Sequence, residues 1–256
     1  MNYGLYLSAS GLFTSLHRMD TAANNLANVQ TAGFKPDLAM TMARDSVRKE
    51  DGVWNLPSNE MLERLGGGAF TAPTAVDFSQ GALEESTSDL NIALEGEGFF
   101  RVRDRDGQVK LTRDGRMAVD RQGVLVQAGT GLPMLDEAGG TIRISPTATG
   151  PLAIGAEGTV RQDQEVAGKL SIVNPADPRS LKKLGNSLYS LAQGASTSTP
   201  KDTRVVQHAI EASGVDPISA MLEITEADRN VNFNAKMIQT YDDIMARAVS
   251  TFGRLG

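Results

Sequence analysis

An α+β fold, with one helix at each end of the chain and an antiparallel β-rich region between them, is predicted by three features of the sequence. Apolar residues recur at helical spacing in Leu5–Leu26 and again in Met221–Leu255. Between them the hydrophobic period falls to two, and glycines mark turns at short intervals.

At the front, Leu5, Ala9, Leu12, Leu16, Met19, Ala23 and Leu26 alternate in steps of four and three, which lines them along one seam of an α-helix. The helix is expected to stop near Asn28, where Asn24, Asn25 and Asn28 crowd the last turn and Gly33 supplies a left-handed position. Phe34 offers an apolar anchor beyond that stop. From Lys35 to Ala75 the pattern is mixed. It holds a possible short helix over Asp37–Lys49, then Gly52, Pro57, the run Gly66-Gly67-Gly68 and Pro73, and reads as a connector.

From Val76 to about Ser190 the residues Leu90, Ile92, Leu94, Phe100 and Val102 alternate with polar neighbours, as strands with one buried face do. Turn pairs separate the strands. Asp106-Gly107 lies between Phe99–Arg103 and Val109–Thr112, Asp114-Gly115 follows, Gln122-Gly123 precedes Val124–Val126, and Glu157-Gly158 precedes Thr159–Val160. Gly168–Val173 and Leu188–Leu191 are the last strand candidates, and the Ser/Thr-rich Gly194–Pro200 reads as a loop. The closing helix is expected to start at Asp216, whose carboxylate caps exposed amides while Pro217 occupies the first helical position. Its seam runs through Met221, Ile224, Val231, Ala235, Ile238, Met245, Ala248, Phe252 and Leu255. Asp228 and Asp242 interrupt it beside Ala227 and Tyr241, so either these acids face solvent, a lumen or a basic partner such as Arg229, Lys236 or Arg247, or a small rotation puts Ala227 and Tyr241 in the seam. The two terminal helices can wind around each other. The resulting boundaries are 1–34 for the first helix, 35–75 for the connector, 76–204 for the β-rich middle domain and 205–256 for the last helix.

Bulk composition narrows the function. The net charge of −6 gives little electrostatic attraction for nucleic acid or anionic lipid. The absence of cysteine excludes disulfides, thiolate metal sites and thiol catalysis. With aromatics at only 5%, an aromatic-lined substrate pocket is disfavoured. No secretory signal and no membrane-spanning run is expected, so any export proceeds without signal cleavage.

Candidate chemistry is thin. His17 and His208 are the only histidines and lie far apart, which supports neither a zinc site nor a catalytic triad. Asp104-Arg105-Asp106-Gly107 hints at a calcium loop but lacks the later acidic ligands and reads as a hairpin turn. Gly96-Glu97-Gly98 lacks the third glycine of a dinucleotide loop, and Glu95 with Glu97 is a weak pair of carboxylates for glycoside hydrolysis. No catalytic residue, metal ligand or cofactor is therefore assigned.

The run Ala23-Asn24-Asn25-Leu26-Ala27-Asn28-Val29-Gln30-Thr31-Ala32-Gly33-Phe34-Lys35 resembles the N-terminal motif of the axial proteins of the bacterial flagellum, the basal-body rod and hook proteins. Gly81-Ala82-Leu83 with Leu90–Phe100 is similar to the opening of that family's β domain. Ser213-Gly214-Val215-Asp216-Pro217, Arg229 and Thr240-Tyr241-Asp242 match its closing helix, with Gly214 where asparagine is usual. Chain length and Val215–Met221 resemble the proximal-rod members, whereas Gly66–Gly81 resembles the distal-rod members; the balance falls narrowly on the proximal side.

The resemblance implies a discontinuous inner domain of coiled-coil-like terminal helices and a β-rich outer domain. It also implies delivery by the flagellar type III export apparatus, stacking with itself and with homologous rod and hook proteins into a helical tube in the basal body, and no catalysis; charge and hydropathy separately disfavour nucleic-acid binding and membrane insertion. Readings from other classes are a hook-type axial protein, a secreted oligomeric β-domain binding module, and a wall-cutting enzyme built on the paired glutamates. The expected assembly interface comprises Leu5, Leu12, Leu16, Met19, Asn24, Asn25, Leu26, Asn28, Gly33 and Phe34, together with Met221, Ile224, Arg229, Val231, Ile238, Asp242, Met245 and Phe252. The first seam holds too little apolar surface to offset the entropy of ordering its helix, so Met1–Asn28 is expected to order fully only against the closing helix and neighbouring subunits. The asparagines are expected either to fix subunit register or to cap the helix.

Overall fold

The computed structural model describes residues 3–45, 49, 67–145, 150, 152–163, 165–200 and 202–252. The chain divides into a helical unit, 1–27, 37–76 and 216–256, and a β unit, 28–36 and 77–215.

The helical unit contains α1 (Tyr3–Ala27), α2 (Pro217–Phe252) and an antiparallel pair of strands, β1 (Asp37–Ala43) and β2 (Ala69–Val76). The segment Asp37–Ala43 is thus strand, where its Leu, Ala and Met content predicts helix. Pro36 fixes the backbone at its start, and pairing with β2 across the intervening chain overrides the local preference. The start of α2 follows from its first residues. Asp216 accepts hydrogen bonds from the amides of Ile218 and Ser219, each at 3.2 Å, and Pro217 needs no partner at the first position. Residues 204–211, ahead of this cap, form strands and not part of the closing helix.

The Ser219 hydroxyl, followed by the two amides, holds the Asp216 carboxyl below its ordinary value of 3.8. A carboxylate depressed by folding stabilises the folded state above its unfolded pKa and loses that contribution as pH falls through the lower folded value. Amide exchange at Ile218 and Ser219 should therefore be pH-independent near neutrality, beyond intrinsic chemistry, and accelerate well below pH 3.8. In Asp216→Ala it should be fast throughout.

The β unit is antiparallel throughout its described strand pairs. It contains β3 (Leu83–Glu85), β4 (Ile92–Glu95), β5 (Phe99–Arg103), β6 (Val109–Thr112), β7 (Met117–Val119), β8 (Leu125–Gln127), β9 (Leu152–Ile154) and β10 (Thr159–Gln162). There follow β11 (Glu165–Lys169), β12 (Ile172–Pro175), β13 (Leu181–Gly185), β14 (Leu188–Leu191), β15 (Thr197–Ser198), β16 (Arg204–Gln207) and β17 (Ala209–Glu211). Six of them form the largest sheet, in the order β13-β14-β6-β5-β12-β15. β9–β11 form a second sheet, and β16-β4, β17-β3 and β7-β8 pair separately.

Phe99 and Phe100 point to opposite faces of the large sheet, as period-two geometry requires. Phe100 joins the main core with Ile92, Leu94, Val102, Leu125 and Met134. Phe99 joins a smaller cluster with Leu111, Leu181 and Tyr189, its ring 5.5 Å from that of Tyr189 in an edge arrangement. Three local expectations change. β4 is buried on both faces, Ile92, Ala93 and Leu94 alike, so alternation with polar residues does not describe it. Gly168–Val173 splits into the end of β11 and the start of β12, and the loop Gly194–Pro200 contains β15. The Asp106-Gly107 turn is as expected: Gly107 has φ +78 and its amide donates to the Asp104 carbonyl, closing the β5–β6 hairpin.

Candidate assembly interface

In the helical unit, α1 and α2 run antiparallel, with Gly4 beside Tyr241 and Gly11 beside Asn234. The buried face of α1 contains Ser8, Thr14, Ser15, Thr21, Ala22 and Asn25, and one line along it runs through Gly4, Ser8, Gly11, Ser15, Ala22 and Asn25. This line keeps the four-three spacing of the leucine seam but lies one residue behind it. Its hydroxyls are satisfied inside the helix: Ser8 donates to the Gly4 carbonyl at 2.9 Å and Ser15 to the Gly11 carbonyl at 2.7 Å. Polar residues can therefore line a close contact without stranding a donor.

Leu12, Leu16, Met19 and Leu26 are half-buried, Leu5 is exposed, and Phe13 is 68% exposed. On α2 the inward line passes through Ala220 and Ala227, which are buried, and through Ile224, Val231, Asn234, Ile238 and Tyr241, which are half-buried, while Asp228 and Asp242 are exposed. The small rotation that brings Ala227 and Tyr241 inward is the arrangement adopted, and Asp228 accepts from the Asn232 amide at 3.1 Å. Arg229 and Met221 are also exposed.

Beyond Tyr241, α2 continues to Phe252, a further length of roughly 16 Å at 1.5 Å per residue, while α1 begins at Tyr3. Met245 falls on the continuation of the same seam and is 49% exposed, and Ile244 and Val249 beside it are exposed as well. The side chains of Phe252 and Leu255 lie outside the described residues. On β1 and β2, Leu38, Met40, Met42 and Phe70 are also exposed. Among the described residues, most of the exposed large apolar ones thus belong to the helical unit, although the β unit holds the larger core.

The asparagine cluster divides between roles. The Asn25 amide donates to the Asp37 carbonyl at 2.8 Å and accepts from the Asp37 amide at 2.9 Å, so it fastens the start of β1 to α1 within the helical unit. That role is neither capping nor subunit register, and its partner, twelve residues on, is not marked by any local pattern. Asn28 belongs to the turn after α1, accepting from the Thr31 amide and hydroxyl at 3.1 and 3.2 Å. Asn24 is exposed.

Gly33 and Phe34 lie in the β unit and are buried there, with Ala32 and Lys35. Gly33 adopts φ +63 and its amide donates to the Glu211 carbonyl at 2.8 Å. The Phe34 ring lies under the Lys183 ammonium, 4.1 Å from the ring centre. Glu211, buried by the same contacts, joins Lys35 and Arg113 in an ionic cluster that sequence spacing does not reveal. Glu97, one of the paired glutamates, is held by the Asn174 amide at 2.9 Å, and the left-handed Gly96 between the two acids breaks strand alternation.

Family comparison covers parts of both units. Residues 5–35 match the model for flagella basal body rod proteins, residues 93–162 that for the D1 domain of flagellar hook protein FlgE/F/G, and residues 206–251 that for the C-terminal region of flagellar basal body rod FlgEFG proteins. The chain is 32% identical over 258 residues to the flagellar basal-body rod protein FlgF of Caulobacter vibrioides, covering 100% of both chains. This chain belongs to the flagellar basal-body rod family. It is also 30% identical to the flagellar basal-body rod protein FlgG of Buchnera aphidicola, over 95% of this chain and 97% of that one. To FlgG of Bacillus subtilis it is 30% identical over 96% and 97% of the two chains. As a member of this family the chain is a structural rod subunit, and its place is the flagellar basal body. The first and last matched segments cover most of α1 and of α2, the elements that carry the exposed apolar stripes.

Proposed function

We propose that this chain is exported by the flagellar type III apparatus and polymerises, with itself and with homologous rod and hook proteins, into a helical tube that carries torque from motor to hook. It catalyses no reaction. The helical unit serves as the inner axial domain and the β unit as the outer one, and the chain belongs to the proximal segment of the rod. Val215–Met221 supports the last point.

The observation that carries the reading is the concentration of exposed apolar side chains on the helical unit. A monomer gains nothing from exposing Phe13, Met221, Phe233, Met245 and Val249 along two helices, whereas a tube buries them. The small-residue contact between α1 and α2 strengthens this argument. It removes little apolar area from water, so neighbouring subunits must supply much of what orders α1. The half-buried leucine stripe and the overhanging end of α2 are the surfaces proposed to receive them.

Phe13→Asp and Met245→Asp test the reading. Each side chain is exposed, so each substitution should change monomer stability by no more than about 0.5 kcal/mol. Both should abolish swimming and rod growth, scored by motility in soft agar and by microscopy of isolated basal bodies. Complete rods built from either variant would refute this use of the helical unit.

A further inference from the structure

Three chain segments of the β unit lead directly to elements of the helical unit: 28–36 after α1, 77–82 after β2, and 211–215 before α2. All three meet at one buried ionic cluster. The Lys35 Nζ lies 2.5 Å from Glu211 Oε1, and Arg113 lies 3.2 Å from Glu211 Oε2, with the three side chains 1%, 0% and 4% exposed for Lys35, Glu211 and Arg113. The Gly81 amide donates to the same Glu211 Oε1 at 3.0 Å, and Lys35 donates to the Ser79 carbonyl at 2.7 Å. Backbone bonds complete the junction: Gly33 amide to Glu211 carbonyl, Asp77 amide to Pro36 carbonyl, and Gly214 amide to Phe34 carbonyl, at 2.8, 2.9 and 2.9 Å.

We propose that Thr31–Lys35 is a withdrawable latch, with Lys35, Glu211 and Arg113 as its lock, whose insertion fixes all three junction segments at once and whose release frees them together while the β core stays folded. Two features make the latch two-state. The core around Phe100, Leu125 and Met134 contains none of its residues. The latch itself tolerates only one placement: a shift by one residue would move Lys35 away from the acid and bury an unpaired ammonium. Burial already drives both Lys35 and Arg113 below their ordinary values, with Glu211 pulling each back, so the cluster acts as a register device and adds little net stability. Arg113 also donates to the Gly96 carbonyl at 2.9 Å and lies over the Phe99 ring, which keeps it in place when Lys35 leaves.

The test is hydrogen exchange on the full-length monomer, which requires no rod assembly and so stands apart from the function proposed above. Glu211→Gln leaves two buried cations without their acid. Exchange at Gly33, Gly81 and Gly214 should accelerate roughly 100-fold or more, with Leu125 and Met134 unchanged. Should that variant fail to fold, Lys35→Met keeps the Arg113–Glu211 pair, and exchange at Gly33 and Gly214 should still rise about tenfold over an intact core. Equal acceleration in junction and core, or no acceleration at the junction in Lys35→Met, would overturn the latch.

Discussion

Gly33→Val should destabilise the β unit by about 3 kcal/mol or more, a large share of the 5–15 kcal/mol typical of a folded domain. Two costs add. The residue adopts φ +63, where a β-branched side chain is strained by roughly 1–2 kcal/mol or more. Separately, a Cβ at this position would lie 2.6 Å from the Arg113 carbonyl carbon and 2.8 Å from its oxygen, so backbone must move. Overpacking of that kind costs roughly 1–3 kcal/mol. Exchange at the Gly214 amide, which donates to the Phe34 carbonyl, measures the sum, and urea unfolding of the full chain reports whatever part of it the β core shares. Gly33→Asn separates the two costs, because asparagine accepts the left-handed backbone yet carries the same Cβ; it should remain destabilised by about 1–3 kcal/mol. Gly107→Asn is the control, since Gly107 has a similar φ of +78 and open space around its Cβ. A Gly33→Asn variant as stable as Gly107→Asn would show that space at this turn is not limiting.

What could be read directly from sequence was whatever local chemistry decides. Asp216-Pro217 marks the start of α2 because a carboxylate cap and a missing amide act within one turn. Asp106-Gly107 and Gln122-Gly123 mark turns because positive φ is a property of the glycine itself, and Gly107 and Gly123 have φ +78 and +77. Features set by distant partners stayed hidden. Asp37–Ala43 has helix-forming residues and becomes a strand only through β2. Lys35 and Glu211 are 176 residues apart, and no spacing rule joins them. Phe34 was legible as an anchor, but its seat in the β unit was not. The helix seam is an intermediate case. Its period was correct and its phase was off by one residue, because two parallel stripes of α1 share the same spacing and hydrophobicity alone favours the leucines. Close approach of two helices favours the other stripe, where glycine, serine and alanine leave room.

The phase of that seam makes Gly11→Leu decisive, since the two stripes predict opposite signs. If the leucine stripe faced α2, Gly11 would point away, and replacing it with leucine would stabilise α1 by about 0.8–1 kcal/mol through helix propensity. In the observed packing a Cβ on Gly11 already lies 3.0 Å from Asn234 Oδ1, and the remaining leucine atoms extend into α2. The overpacking cost of roughly 1–3 kcal/mol then exceeds the propensity gain. α1 should lose its dock on α2 while keeping or increasing its own tendency to be helical. Amide exchange should accordingly rise along the buried face of both helices, at Ser8, Ser15, Ala227 and Asn234, and the far-ultraviolet helix signal should fall as the undocked α1 frays. Motility should fall sharply, because an undocked α1 presents its leucine stripe in no fixed orientation to the next subunit. A compensating Asn234→Ala, which clears the space at Gly11, should recover part of the protection and part of the swimming. Protection in Gly11→Leu equal to or above that of the parent would instead place the leucines against α2 and return the small residues to the surface.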